Sequence, residues 1–332
     1  MVLVAKWMCG TTSQNSTYWN RTFTVPGFSP RYPAAHCTND GSICELVTGE
    51  AEVNAAATIS ALVYSSIFDL KETYFLIAGI SGINPKHGTI GSVTFARFAI
   101  QVALQHEIDA REMPADWAAG YFPLGASSPT QYPVNIYGTE VFEVNDNLRQ
   151  LAFSLAQKAT LNDSAAAQAY RANYNMFGIA AEAPTFALCD TATSDNYWHG
   201  AILAEAFENT TTLFTNSTGV YCSTQQEDNA TLEVLLRGTL AGLVDFSRII
   251  IMRTASNFDR PHPGQTPIGS LLADSGGFSI GTANIYHAGV KVVQGIIEEW
   301  ESRYKAGVKP DNYIGDILGS LGGTPGFGRP SL

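Results

Sequence analysis

The chain has 332 residues, 45% of them hydrophobic and 15% charged, enough to bury one large α/β core or two modest ones, which excludes a disordered chain. Its formal net charge of −11 argues against a nucleic-acid partner, because phosphate backbones are gripped by clustered Lys and Arg that this sequence lacks. No apolar run reaches the ~20 residues of a membrane-spanning helix; the most apolar stretch, Leu232 to Met252, is broken by Arg237, Asp245 and Arg248.

The opening, Met1 to Cys9, is too short for a signal-peptide apolar region and carries Lys6, so a missing leader is one expectation. Residues 1–48 hold Pro26, Pro30, Pro33 and many turn residues and read as irregular, within a single domain spanning residues 1–332. Ala51 to Ser65 has apolar residues at helical spacing. Thr73 to Ala78 reads as a short apolar strand, with Gly79 to Pro85 as a turn whose glycines let backbone approach a ligand. Ile90 to Ala103 reads as extended, and the Pro, Gly and aromatic residues from Ala110 to Pro133 as a surface excursion.

Helical period returns over Phe142 to Ala159. A strand over Phe186 to Asp190 leads to the turn Thr193 to Trp198, then a helix over His199 to Phe207 and a strand over Gly219 to Cys222. Glu227 opens the next helix, the strand from Arg248 ends near Asn257 and Asp259, and a last helix runs from Thr282 to Arg303. Gly264 to Gly281 reads either as a lid or as a surface loop. Strands alternating with helices predict an α/β fold: a three-layer αβα sandwich with a mixed central sheet.

Five cysteines and six sequons bear on compartment. Cys37 and Cys44 flank a polar turn, and Cys189 and Cys222 each end a predicted strand, which predicts two disulfides with Cys9 left over; five reduced, buried thiols are the alternative. Asn15, Asn20, Asn162, Asn209, Asn216 and Asn229 are glycosylation sequons, of which some are chance matches in a chain rich in Asn, Ser and Thr. Together they suggest a secreted or cell-surface protein.

Chemistry concentrates at two places. Glu227 stands at a helix N-terminus, where the helix's partial positive charge keeps a carboxylate ionised, and a carboxylate can accept two hydrogen bonds from a cis-diol. Asn257 and Asp259 stand at a strand's carboxyl end, where open α/β sheets build their clefts. The plainer alternative for Glu227 is an ordinary helix-capping acid. His106, Glu107 and Asp109 read as a solvated turn rather than a metal site, since no second His stands at ligand spacing; no metal or cofactor is expected.

Several blocks carry a resemblance: Val47-Thr48-Gly49-Glu50, Phe75 to Pro85, Ile90 to Val93, Thr193-Ser194-Asp195, Gln226-Glu227-Asp228 and Arg253 to Pro261. They resemble the nucleoside phosphorylase and nucleosidase fold, and from about residue 23 onward the chain looks like the purine nucleoside permease family. The resemblance implies a purine nucleoside ligand. Glu227 would hold the ribose hydroxyls, Tyr197 or Trp198 would stack on the base, and Gly79, Ile80, Ser81, Gln226 and Asp195 would complete the binding site. Both rings could instead be core or lid packing.

Three departures stand out. Where nucleosidases of this fold carry Asp, this chain has Asn257, an amide that cannot protonate a leaving base. Asp259 would replace it as catalytic acid if turned inward; pairing with Arg260 or capping the turn are the alternatives. Ile80 replaces a small hydroxyl, and no Arg-containing, Gly-rich anion loop appears near the N-terminus, which weakens the case for phosphate. No acid precedes Asp40, so a first strand lost with the leader is expected.

The family name implies a part in nucleoside uptake, with a separate membrane transporter as partner. The alternatives are an extracellular purine nucleosidase using water, and a glycoprotein whose site has decayed. A homo-oligomer is compatible with each.

Overall fold

A computed structural model describes residues 2–6 by their backbone and residues 19–327 throughout; Cys9 and the Asn15 sequon lie outside the described residues. The stretch expected to be irregular contributes four strands, β1 (Val2–Lys6), β2 (Arg21–Thr24), β3 (Ala34–Cys37) and β4 (Ile43–Leu46). β1 lies parallel between β4 and the next strand, so the expectation of a lost first strand is corrected. The turn joining β3 and β4 is closed by the Cys37–Cys44 disulfide. Short strands with interspersed prolines escape recognition because edge pairing and a cross-link, rather than a long apolar pattern, hold them.

Helix α1 (Ala51–Val63) leads to β5 (Tyr74–Ile83). The turn expected from Gly79 is instead the second half of this strand. It pairs parallel along its length with β14 (Ile249–Phe258), which spans the Gly79–Ile83 segment and leaves no room for a loop. Gly82 serves contact with a neighbouring strand: a Cβ there would lie 2.5 Å from Thr224 Oγ1.

Between them the chain forms β6 (Val93–Ala96), β7 (Phe98–Gln101), a small hairpin of β8 (His106–Glu107) and β9 (Tyr121–Phe122), β10 (Val141–Glu143), α2 (Asp146–Ala156) and α3 (Ala165–Arg171). There follow β11 (Phe186–Leu188), β12 (Asp190–Thr193), α4 (Ala201–Phe214), β13 (Tyr221–Gln225) and α5 (Asp228–Leu240). The short helix α6 (Pro267–Leu271), the long helix α7 (Gly277–Glu298) and β15 (Gly315–Asp316) follow β14. Helix α6 and the first turn of α7 occupy much of 264–281, the stretch expected to be a lid or a surface loop.

Thirteen strands share one mixed sheet, covered by helices on both faces. Alternation along β5 and β14 explains the layers. Phe75, Ile77, Ile249 and Ile251 pack with Leu62 of α1 and Leu232 and Leu235 of α5. Leu76, Ala78, Ile250 and Met252 face the other way, onto Leu148 of α2 and Ile285 and Val292 of α7. Strands buried on both faces read as continuous apolar runs, and each buried aliphatic side chain contributes about 1.5–3 kcal/mol. A third cluster packs Trp198, Phe207 and Phe214 along α4.

The Cys189–Cys222 disulfide ties the start of β12 to β13. Asn229 is buried and donates from its side chain to the Thr139 carbonyl, so that sequon is not available to a glycan; Asn20, Asn162, Asn209 and Asn216 are exposed. Asp109 pairs with Arg111 on exposed chain next to β8. Among the described residues no helix is long and apolar enough to cross a membrane.

Candidate functional site

The ends of β5, β13 and β14 and the turn after β12 converge on one cleft. Ile80, Ser81, Gly82, Tyr197, Trp198, Thr224, Gln226, Glu227, Ser256 and Asn257 are among its walls, and its cavity measures about 60 Å³. That is smaller than the ~300–1,000 Å³ of a ligand pocket, so only part of a nucleoside-sized molecule would be enclosed and the rest would lie across the open mouth.

Glu227 forms the acidic floor. It precedes α5 but makes no side-chain bond to its own helix. Gln225 does that work: its Oε1 accepts the N–H groups of Glu227 at 2.7 Å and Asp228 at 2.8 Å. The helix-capping alternative for Glu227 is thereby excluded, and its carboxylate is free to reach across the site. Oε1 accepts the Ala51 N–H at the start of α1 at 3.2 Å, and Oε2 takes both Nη atoms of Arg253 at 3.3 Å.

Arg253 is wholly buried and is shared with Asp228, which it also binds through two nitrogens. Burial pushes the Glu227 carboxyl above its ordinary range, and Arg253 pulls it back. Burial works against the Arg253 charge, but Asp228 and Glu227 outweigh it and raise its pKa.

The remaining predicted residues divide. Ser81, buried, donates to the Thr254 carbonyl, and its own carbonyl accepts from Ser256. Asn257 faces the cleft with its amide bonded to Ser256 Oγ and to the Phe258 carbonyl. Tyr197 is 63% exposed at the mouth, whereas Trp198 is a core ring with only an edge on the cleft. Trp198 packs against Phe207 at 4.9 Å and donates to Tyr221. Tyr197 is therefore the ring available to a ligand.

Gly79, Asp195 and Asp259 lie off the cleft. Gly79 is buried in β5 opposite Arg253. Asp195 braces the turn: its carboxylate accepts the Glu52 N–H at 2.8 Å, and its carbonyl accepts Gln226 Nε2 at 2.8 Å. Asp259 takes the second of its expected roles. Its carboxylate receives Arg260 Nε at 2.8 Å and the Tyr221 hydroxyl at 2.8 Å, which corrects its assignment as catalytic acid. Burial raises its pKa, and Arg260 and Tyr221 oppose that rise.

Sequence reasoning gave no role to Arg253, Gln225 or Glu52. Arg253 had a signal, since a cation following four apolar residues of a buried strand requires a buried partner. Glu52 had none, because Asp195 and Gln101 lie in distant elements, whereas Gln225 stands only two and three residues before the amides it caps, a local signal left unread. A larger cleft of about 420 Å³ lies at the amino end of β14, lined by Asp245, Asn312 and Tyr313. The Asp245 carboxylate is taken by Ser247 and Arg248 and the Asn312 amide by Glu143 and Val144, so no free polar set converges there.

Comparison with solved structures places the fold. The chain is similar to the 5′-methylthioadenosine/S-adenosylhomocysteine nucleosidase of Neisseria meningitidis, with TM-score 0.52 and 14% identity, covering 89% of this chain and 98% of that one. It is similar also to futalosine hydrolase of Helicobacter pylori, with TM-score 0.51 and 12% identity, covering 89% and 97%. With no helix long and apolar enough to cross a membrane among the described residues, this likeness corrects the expected part in transmembrane uptake: the architecture is that of a nucleosidase and of futalosine hydrolase.

The sequence itself is far closer to another group. It is 47% identical over 316 residues to a purine nucleoside permease of Candida albicans, covering 93% of this chain and 78% of that protein. The family described as purine nucleoside permease matches residues 5–309. The chain belongs to the purine nucleoside permease family.

Proposed function

We propose that this protein is a purine nucleosidase that cleaves the N-glycosidic bond with water. The observation that carries the reading is the Glu227 carboxylate, buried at the floor of a cleft at the strand ends and held there by Arg253 and the Ala51 amide. Its Oε1 keeps a lone pair for the hydroxyls of a ribose. The shared fold with a nucleosidase crystallised with methylthio-immucillin-A agrees with a ligand of this class.

The sugar would sit over Glu227, with the base towards the mouth between Tyr197 and Asn257. As the bond from the anomeric carbon to the base nitrogen breaks, its electron pair leaves with the base and positive charge develops on the sugar. A fixed carboxylate nearby stabilises that charge. Water then adds to the anomeric carbon and gives up a proton, while the departing base takes one from solvent, since Asn257 has none to give. Water is favoured over phosphate because no Lys, Arg or His among the described residues lines the cleft, and Arg253 is committed to two carboxylates.

A second reading, a nucleoside-binding protein without turnover, is favoured by Asn257 and by the engagement of Asp259 with Arg260. Incubation with inosine, adenosine and guanosine, with and without phosphate, separates the two. Base release independent of phosphate supports hydrolysis; saturable binding without release supports the second reading; absence of binding overturns both. The two disulfides and the exposed sequons support a secretory location, which a mass shift on deglycosylation would test.

A further inference from the structure

Helix α1 begins without a side-chain cap of its own. Its first amides are held from far away: Ala51 N–H by Glu227 at 3.2 Å and Glu52 N–H by Asp195 at 2.8 Å. The Glu52 side chain is part-buried and turns towards the end of β7, where Gln101 Nε2 donates to its Oε1. Its other oxygen has no hydrogen-bond partner among the described residues. Asp195 and Glu227, from two other elements, thus meet the first turn of α1 beside Glu52, and the cations there are engaged: Arg253 with Glu227 and Asp228, and Arg31 with Glu50 at the helix N-cap.

We propose that Glu52 is a positioning residue for Glu227: its carboxyl, seated on Gln101 beside Asp195, fixes the first turn of α1 and thereby the amide that orients the ribose-binding carboxylate. Ionised, Glu52 is repelled by Asp195 on the turn after β12 and by Glu227 at the head of α5, while Gln101 on β7 is the neutral group that favours its charge. Burial, then Asp195, push its pKa up to about 7, so the change falls near neutral pH. The ligand consequence rests on the nucleoside reading above.

The folded-state pKa stands above its ordinary 4.5. Stability from the neutral form is therefore complete below about 4.5 and is lost as pH rises through about 7.

The experiment compares wild type, Glu52→Gln and Asp195→Asn between pH 5 and 8.5. Hydrogen-exchange protection of the 49–58 segment, corrected for intrinsic rates, needs no ligand. It should fall about fivefold to tenfold across pH 6–8 in wild type, a range typical of coupled sites, stay flat in Glu52→Gln, and fall at lower pH in Asp195→Asn, where the like charge that raises the Glu52 pKa is gone. Inosine affinity should follow the same three profiles.

An unchanged break in Glu52→Gln, by either measurement, overturns the proposal. The predicted exchange profiles with no inosine binding at all would retain the positioning role and sink the nucleoside reading instead.

Discussion

Both Nη atoms of Arg253 stand 3.3 Å from Oε2 of Glu227, directly behind the cleft floor. The pair joins the middle of β14 to the start of α5, and it turns a buried guanidinium into a fixed support for an acid that a ligand can reach. Because Oε2 is occupied by Arg253, Oε1 is the oxygen turned to function.

Glu227→Gln keeps the shape and removes the charge. Charged hydrogen bonds contribute about 1.5–3 kcal/mol each, so loss of one or two such bonds should weaken purine nucleoside binding by roughly 10²-fold. Calorimetric titration with inosine measures this, and an affinity equal to wild type would remove Glu227 from the site.

Arg253→Met leaves Glu227 and Asp228 buried without their cation. Breaking a buried ion pair from one side costs about 3–5 kcal/mol, and urea unfolding should show a loss of that size. A loss below about 1 kcal/mol would mean that solvent already reaches the three charges.

Asn257→Asp and Asp259→Asn separate two neighbouring residues of different consequence. An acid at position 257 would protonate the departing base, and general acid assistance is worth ~10²–10⁴ in rate, so turnover should rise by at least tenfold. Asp259→Asn should instead lower stability and leave kcat within about twofold, since that carboxylate serves Arg260 and Tyr221. The opposite pattern would return Asp259 to the chemistry.

Ala51 has φ of 72° at the head of α1, a conformation that costs an L-residue about 1–2 kcal/mol. Ala51→Gly relieves this strain while adding chain entropy to the unfolded state, for a net gain of about 0.5–1 kcal/mol. Chemical denaturation provides the test; a destabilised variant would show that the Ala51 methyl makes packing contacts that offset the strain.

The layered α/β fold, both disulfide pairs and the positions of Glu227, Tyr197 and Asn257 on one cleft were legible in the residues. Most of these signals are local, namely continuous apolar runs along β5 and β14, turn residues between strands and a carboxylate just before a helix, whereas Tyr197 came from the family resemblance. Gly79 misled because glycine in a run of strand residues marks either a turn or close strand contact, and the local pattern is the same for both.

What the sequence alone determined is therefore the order of elements and the chemical types brought to the strand ends. Tertiary structure decided which side chains remain available there. It engaged Asp259 with Tyr221, put Trp198 into the core, and set Glu52, Asp195 and Glu227 around one helix end. Those outcomes depend on partners up to 176 residues apart, and hydrogen bonding and desolvation are decided by distance in space rather than along the chain.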